Sequence, residues 1–183
     1  MDAHVLVPLK LLDSAKSRLA EALSAEERAE LMRSLLGGVI GAVREAGLER
    51  VTVVSSEPLA DFEVWNDRGL PWNDALAAAM REVVAAPVAT ILAADLPLLR
   101  SEEVVELIAA TPERGLAIAR ALDGGTNAVS MRPPGLVRTC FGEPGSAARH
   151  AALGVEHVVL DLPGLAFDVD TPEDLARMQA ACL

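Results

Sequence analysis

The chain reads as an α/β protein with a mostly parallel central sheet, and two observations predict it. Short apolar runs at residues 4–9, 51–55 and 88–94 alternate with longer amphipathic stretches, the pattern of strands joined by helical crossovers. Asp95 then follows the run Val88-Ala89-Thr90-Ile91-Leu92-Ala93-Ala94 and precedes Leu96-Pro97, so a carboxylate sits where a buried strand opens into a turn. Open α/β sheets bind ligands at such strand ends. With 183 residues, 51% hydrophobic and 23% charged, the chain fits one domain spanning 1–183.

The elements follow in order. Residues 4–9 form a strand, ended by Pro8 and followed by the polar segment 10–18. Ser24 and Glu27 have capping-box spacing, and Leu31, Leu35, Val39 and Val43 recur at helical intervals until Gly47 stops the helix. Gly37, Gly38 and Gly41 lie inside this helix and each costs up to ~1 kcal/mol relative to Ala, so close packing of its backbone against the sheet is expected to offset them. Residues 51–55 form the second strand. The stretch 57–72 is irregular, punctuated by Pro58, Gly69 and Pro71, with a short strand near Val64. A helix over 73–84, the central strand 88–94 and a helix capped by Ser101 and running to about residue 110 come next.

Beyond this the pattern changes. Residues 116–121 and 128–131 read as strands around Asp123-Gly124-Gly125-Thr126-Asn127, a loop rich in residues that tolerate positive φ, and part of this region is expected to be antiparallel. Helices over 145–153 and 172–181 complete the chain, the last with Thr171 as N-cap, Pro172 at its first position and Asp174 stabilising its first turn.

Composition excludes several classes. A formal net charge of -11 disfavours a phosphate-backbone partner, which needs a basic face, so nucleic-acid binding is not expected. The first twenty residues depart from this acidity, with Lys10, Lys16 and Arg18 against Asp2 and Asp13, a local basic spot suited to a small anion. Aromatic residues make up 3%, which leaves few stacking platforms for a base. Cys140 and Cys182 form no C-x-x-C pattern, and free thiols in a reducing compartment are expected. No signal-peptide pattern opens the chain and no apolar stretch of about eighteen residues occurs, so the expectation is a cytoplasmic protein off the membrane.

A second acidic pair, Asp168 and Asp170 in Phe167-Asp168-Val169-Asp170-Thr171-Pro172, lies at what reads as another strand-to-helix junction. Two such carboxylate junctions can share a divalent cation through hard oxygen ligands. The alternative for Asp95 is capping of the next turn beside Pro97, and for Asp168 and Asp170 capping of the loop end. Alternation along a strand puts Asp170 on the same face as Asp168, so either can be the second ligand.

The segments Val7-Pro8-Leu9-Lys10 and Ala15-Lys16-Ser17-Arg18-Leu19, with Ala94-Asp95-Leu96-Pro97, Asp123-Gly124-Gly125-Thr126-Asn127, Phe141-Gly142, Gly145-Ser146, His150 and Asp168-Val169-Asp170-Thr171-Pro172-Glu173-Asp174-Leu175, resemble the 2-phospho-L-lactate guanylyltransferase family over nearly the whole chain. The resemblance implies a single-domain, three-layer fold like that of the nucleotide-diphospho-sugar transferases (GT-A type). It implies transfer of GMP from GTP to phosphoenolpyruvate or 2-phospho-L-lactate, with release of pyrophosphate, in biosynthesis of the deazaflavin coenzyme F-420. Asp95 matches the family's metal-binding aspartate and Asp168 the first aspartate of its C-terminal motif, with Asp170 the competing position, and the cofactor implied is Mg²⁺. Lys10, Lys16 and Arg18 fall where the resemblance puts the GTP phosphates, Lys16 first among them as a catalytic cation; the alternative is solvated surface charge. Thr126, Gly142, Gly145 and Ser146 match positions that contact the phospho-acid, although Ser146 also reads as a helix N-cap, and the loop 142–146 is one residue longer than the family's shorter form. Asn73 matches an asparagine beside the nucleotide and equally reads as an N-cap. Arg149 and His150 resemble a pair near the acceptor, and His150 is given no proton-transfer role. A homodimer and hand-over of the product to the next enzyme of the pathway are compatible with this resemblance.

Rival readings differ in testable features. Molybdopterin guanylyl- or cytidylyltransferases favour a glycine-rich loop after the first strand, whereas residues 7–18 contain no Gly. Asp168-Val169-Asp170-Thr171 fits the D-x-D-x-T pattern of aspartyl phosphohydrolases, but that motif should open a domain and only twelve residues follow Thr171. A catalytically inactive nucleotide-binding module would bind GTP without turnover.

Overall fold

A computed structural model describes residues 1–10 and 16–181. The helices and strands run in the order β1 (His4–Pro8), α1 (Ala25–Glu45), β2 (Val51–Ser55), β3 (Val64–Asn66), α2 (Trp72–Glu82), β4 (Ala89–Leu92), α3 (Ser101–Ala109), β5 (Gly115–Arg120), β6 (Thr126–Arg132), α4 (Ser146–Ala151), β7 (Glu156–Leu160), α5 (Pro163–Ala166) and α6 (Pro172–Ala181), with a 3₁₀ turn at Ser17–Leu19. The strands make one seven-stranded sheet in the order β3-β2-β1-β4-β6-β5-β7. Strand β6 runs antiparallel to both β4 and β5, and the other pairings are parallel. The antiparallel expectation for this region therefore holds.

Period-two alternation splits the core between the two faces of the sheet. Val5, Val7, Val53, Leu92, Ala117, Ala119 and Ala128 pack on one side with Leu36, Val39 and Val43 of α1 and Val104, Leu107 and Ile108 of α3. Leu6, Val54, Ile91, Leu116, Ile118, Val129 and Met131 pack on the other with Leu76, Ala79 and Met80 of α2 and Ala147 of α4. Three layers result, as expected. Strand β1 is the pivot: β2 lies on one side of it and β4 on the other, so the chain switches direction there and opens a crevice beyond the carboxyl ends of these strands.

The long helix begins as its sequence dictates. Ser24 Oγ accepts from the Glu27 N–H at 3.2 Å and the Glu27 carboxylate accepts from the Ser24 N–H at 2.8 Å. Gly47, at φ 77, ends it. The expected close packing at Gly37, Gly38 and Gly41 is not there: a Cβ built at each meets nothing within 4 Å, Gly38 being exposed and Gly37 and Gly41 half-buried. Ser101 is the first residue of α3 and Arg100 its N-cap, with the Arg100 N–H given to the buried Glu103 carboxylate at 3.1 Å. Strand β7 and helix α5 have no counterpart among the sequence expectations. β7 is an edge strand paired to β5 alone and largely exposed, so its Glu-His-Val-Val-Leu lacks clean alternation. The segment 167–170 follows α5 rather than a strand; it runs extended beside β4, and its Val169 N–H reaches the Asp95 carbonyl at 3.3 Å.

Candidate functional site

The crevice beyond β1 and β4 is a cavity of about 520 Å³. Its lining includes Lys10, Lys16, Arg18, Asp95, Thr126, Gly142, Asp168 and Asp170 among the residues singled out from sequence. Two chain regions far apart in sequence build its acidic floor. Asp95 extends from β4; the Ala93 N–H, bonded to the Asn127 carbonyl at 2.8 Å, keeps the end of β4 tied to β6. Asp168 and Asp170 flank Val169, which is fully buried, so alternation of the extended segment turns both carboxylates the same way. One oxygen from each of Asp95, Asp168 and Asp170 lies within 4.8 Å of the others. This is a hard-oxygen donor set of the kind a divalent cation takes.

Lys16 reaches into this floor. Its Nζ donates to Asp95 Oδ2 and, at 2.8 Å, to Asp170 Oδ1, and only 7% of its side chain is exposed. Its backbone is left-handed, at φ 54. Burial pulls the Lys16 pKa down, but the Asp95 and Asp170 carboxylates outweigh it and hold the ammonium above the ordinary lysine value. Arg18 stands at the exposed rim, 3.5 Å from Asp170 Oδ2. The Asp95 carboxylate is thus engaged by Lys16, not in capping the turn that follows.

Asp168 behaves differently from its neighbours. Burial, with the nearby charges of Asp95 and Asp170, pushes its carboxyl up to about 6, against the Asn127 amide, which donates to Asp168 Oδ1 at 3.1 Å, and against Lys16. Asn127 also donates to the Leu165 carbonyl at 3.0 Å, and so locks α5 and the 167–170 segment to β6. Sequence reasoning read Asn127 as a turn residue; it is the second residue of β6, and of the loop it was assigned to, only Gly124 has positive φ.

Pro8, Leu9, Met32, Trp72 and Phe141 add apolar side chains to the lining. Lys10 Nζ sits 5.2 Å from the Trp72 ring centroid. Trp72, Met32 and Phe141 were not predicted; in sequence they are ordinary apolar residues with no marking spacing.

Three predicted positions are not in the cavity lining: Asn73, Gly145 and Ser146. Asn73 is not the N-cap of α2, since Pro71 occupies that position. Its Oδ1 accepts from the Phe141 N–H at 2.9 Å and the Thr139 hydroxyl at 3.0 Å, and its Nδ2 donates to the Phe141 carbonyl at 3.0 Å. All the side chain's polar atoms thus hold the 139–141 segment against the cavity. Gly145, at φ 64, is the N-cap of α4 in place of Ser146. Ser146 is buried and donates to Thr126 Oγ1 at 3.0 Å. At the tail, Asp174 Oδ2 accepts from the Asp170 and Thr171 N–H groups at 3.1 and 2.8 Å, which confirms its expected role in the first turn of α6. Cys140 is a buried free thiol, and Cys182 lies outside the described residues. No helix among the described residues is long and apolar enough to cross a membrane.

Comparison with known proteins bears on this arrangement. The family described as "Guanylyl transferase CofC like" matches residues 3–180. The chain is 39% identical to a phosphoenolpyruvate guanylyltransferase of Rubrobacter xylanophilus, with 99% of this chain and 95% of that protein covered. It is 36% identical to a 2-phospho-L-lactate guanylyltransferase of Haloarcula marismortui, covering 89% of this chain and 79% of that protein. Among solved structures, a protein of Desulfovibrio desulfuricans G20 provisionally assigned as a nucleotide-diphospho-sugar transferase superposes with a TM-score of 0.76 at 19% identity, covering 96% of this chain and 85% of that one. The likeness bears out the expected fold.

Proposed function

The chain belongs to the family of CofC-like guanylyl transferases, and from that premise we propose that it transfers GMP from GTP to phosphoenolpyruvate or 2-phospho-L-lactate and releases pyrophosphate. The observation that carries the reading is the convergence of Asp95, Asp168 and Asp170 within 4.8 Å, in one cavity with Lys10, Lys16 and Arg18. Carboxylates and cations lining one cavity suit a triphosphate held with a metal ion.

In this reading an oxygen of the acceptor's phosphate attacks the α-phosphorus of GTP. The new P–O bond forms as the bond to the pyrophosphate oxygen breaks. The acceptor phosphate is already anionic, so no general base is needed, and the task is alignment and charge neutralisation. Asp95, Asp168 and Asp170 would hold Mg²⁺, which when bound neutralises charge on the triphosphate. Lys16 lines the cavity while paired with Asp95 and Asp170, so rotation of its side chain exchanges a carboxylate partner for a phosphate oxygen. Lys10 and Arg18 add charge at the rim, and Thr126 with Gly142 faces the acceptor. The reading extends to the route to coenzyme F-420, a cytoplasmic location and hand-over of the labile product to the next enzyme.

The test is pyrophosphate release by the purified chain given GTP and Mg²⁺, with phosphoenolpyruvate, 2-phospho-L-lactate and 3-phosphoglycerate in parallel. Release that depends on one of these acceptors supports the proposal. GTP binding with no turnover on any of them would turn the reading to an inactive nucleotide-binding module.

A further inference from the structure

Behind the acceptor end of the cavity lies a buried polar network with no charged member. His150 is completely buried on α4, and its ring stands edge-on to Phe141 with centroids 5.3 Å apart. The Cys140 N–H donates to His150 Nε2 at 3.1 Å, and His150 Nδ1 lies 3.1 Å from Thr126 Oγ1. Ser146 Oγ donates to the same Thr126 oxygen at 3.0 Å.

The hydrogens follow from this inventory. A backbone N–H can only donate, so His150 Nε2 must be the acceptor and carry no proton. The neutral ring then bears its proton on Nδ1 and donates it to Thr126. Burial lowers the His150 pKa, which keeps the ring in this neutral form near neutral pH. A threonine hydroxyl has one proton to give and two lone pairs to receive. Here His150 and Ser146 take both lone pairs, which leaves the hydroxyl proton of this cavity-lining residue without a partner among those two side chains.

We infer that His150 and Ser146 are positioning residues that act through Thr126, making its hydroxyl a committed donor to an anionic oxygen of the phospho-acid acceptor. The inference rests on the function proposed above and extends it. Thr126 touches the acceptor, while Ser146 and His150 set the direction of its proton. The network explains why Ser146 is buried against Thr126 instead of lining the cavity. A hydroxyl held in this way loses little freedom on binding and selects an acceptor anion over a donor.

Two measurements test it. The first needs no turnover: long-range ¹H–¹⁵N imidazole spectra of the wild-type protein, with His150 identified by comparison with His150→Gln, should show the proton on Nδ1. A proton on Nε2, or a doubly protonated ring at neutral pH, overturns the inference. The second is kinetic. Thr126→Val, Ser146→Ala and His150→Gln should each raise KM for the acceptor, by about tenfold or more for Thr126→Val, since a hydrogen bond to a charged group is lost, with KM for GTP little changed. His150→Gln keeps an acceptor near the Cys140 amide but no donor at the Nδ1 position, whereas His150→Asn keeps the donor and should retain more of the wild-type KM. The decisive arm is non-additivity: in the Thr126→Val background, His150→Gln should cost nothing further. Additive losses, or an equal rise in KM for GTP, would mean that His150 only supports the fold. Wild-type protein without acceptor-dependent pyrophosphate release would instead sink the function on which the inference rests.

Discussion

Replacing Asp168 with Asn should make the metal-free protein more stable and inactive. The carboxyl of Asp168 stands at about 6 against an ordinary 3.8, so folding works against its ionised form. About two pKa units correspond to an upper limit of about 3 kcal/mol. Solvent reaching this half-buried group screens it to about 1–2 kcal/mol. In Asp168→Asn the side-chain oxygen can still accept from the Asn127 amide, now 3.1 Å from Asp168 Oδ1, while the repulsion from Asp95 and Asp170 is gone. For a chain of this size the gain should raise the melting temperature by about 3–6 °C near pH 7.5. The sign with pH is set by the raised folded value. Ionisation costs stability fully above about pH 6, and the cost disappears as pH falls through that value toward the unfolded carboxylate range. The advantage of the variant should therefore shrink below pH 6 and be absent near pH 4. Thermal melts without divalent cation across this range, repeated with Mg²⁺, are the assay. Mg²⁺ should raise the melting temperature of the wild type more than that of the variant, which keeps only Asp95 and Asp170 as carboxylate ligands, and its apparent affinity for the wild type should fall below pH 6, where a proton must first leave Asp168. A variant less stable than wild type near neutrality, or a gap that does not change with pH, would refute this reasoning.

Other expectations follow from single contacts. Asp95→Ala should lower turnover by about a thousandfold or more while far-UV circular dichroism stays native, because the residue lines the cavity and its side chain, among the described residues, bonds only Lys16; an unfolded variant would return Asp95 to a structural role. Gly164→Ala should destabilise by about 2–4 kcal/mol in denaturant unfolding, since its Cβ would overlap the Leu98 carbonyl oxygen and the buried Glu103 carboxylate that accepts the Gly164 N–H at 2.7 Å; a neutral result would show that the α3–α5 contact yields easily. Gly38→Ala should stabilise by about 0.5–1 kcal/mol, because the position is exposed, helical and open around an added methyl. A loss of stability there would reveal something packed on that face.

The parts of the fold legible in the sequence were those whose signals are local. The Ser24–Glu27 capping box, the apolar run ending at Asp95 and the Thr171-Pro172 helix start each lie within a few residues, and each stands where expected. The carboxylate cluster was legible for the same reason: each acid sits beside an apolar residue whose burial dictates its direction, Ala94 for Asp95 and Val169 for Asp168 and Asp170. Features that depend on distant partners were not. Asn73 reads as a cap in sequence, and only the approach of residues 139–141 turns its amide to another purpose. Ser146 reads as a cap for the same reason, until β6 brings Thr126 within 3.0 Å. The exposed face of β7 removed the alternation that marks a strand, and α5 has four residues, too short to carry a period.

The central claim is that Asp95, Asp168 and Asp170 grip one divalent cation beneath the triphosphate. It is tested most directly by crystals grown with GTP and Mn²⁺, read from anomalous scattering. The account predicts a manganese peak within coordination distance, about 2.2 Å, of oxygens from Asp95 and at least one of Asp168 and Asp170, with Lys16 turned from the carboxylates to a phosphate. A well-ordered triphosphate in the cavity with no manganese at these carboxylates, and Lys16 still bound between Asp95 and Asp170, would contradict it.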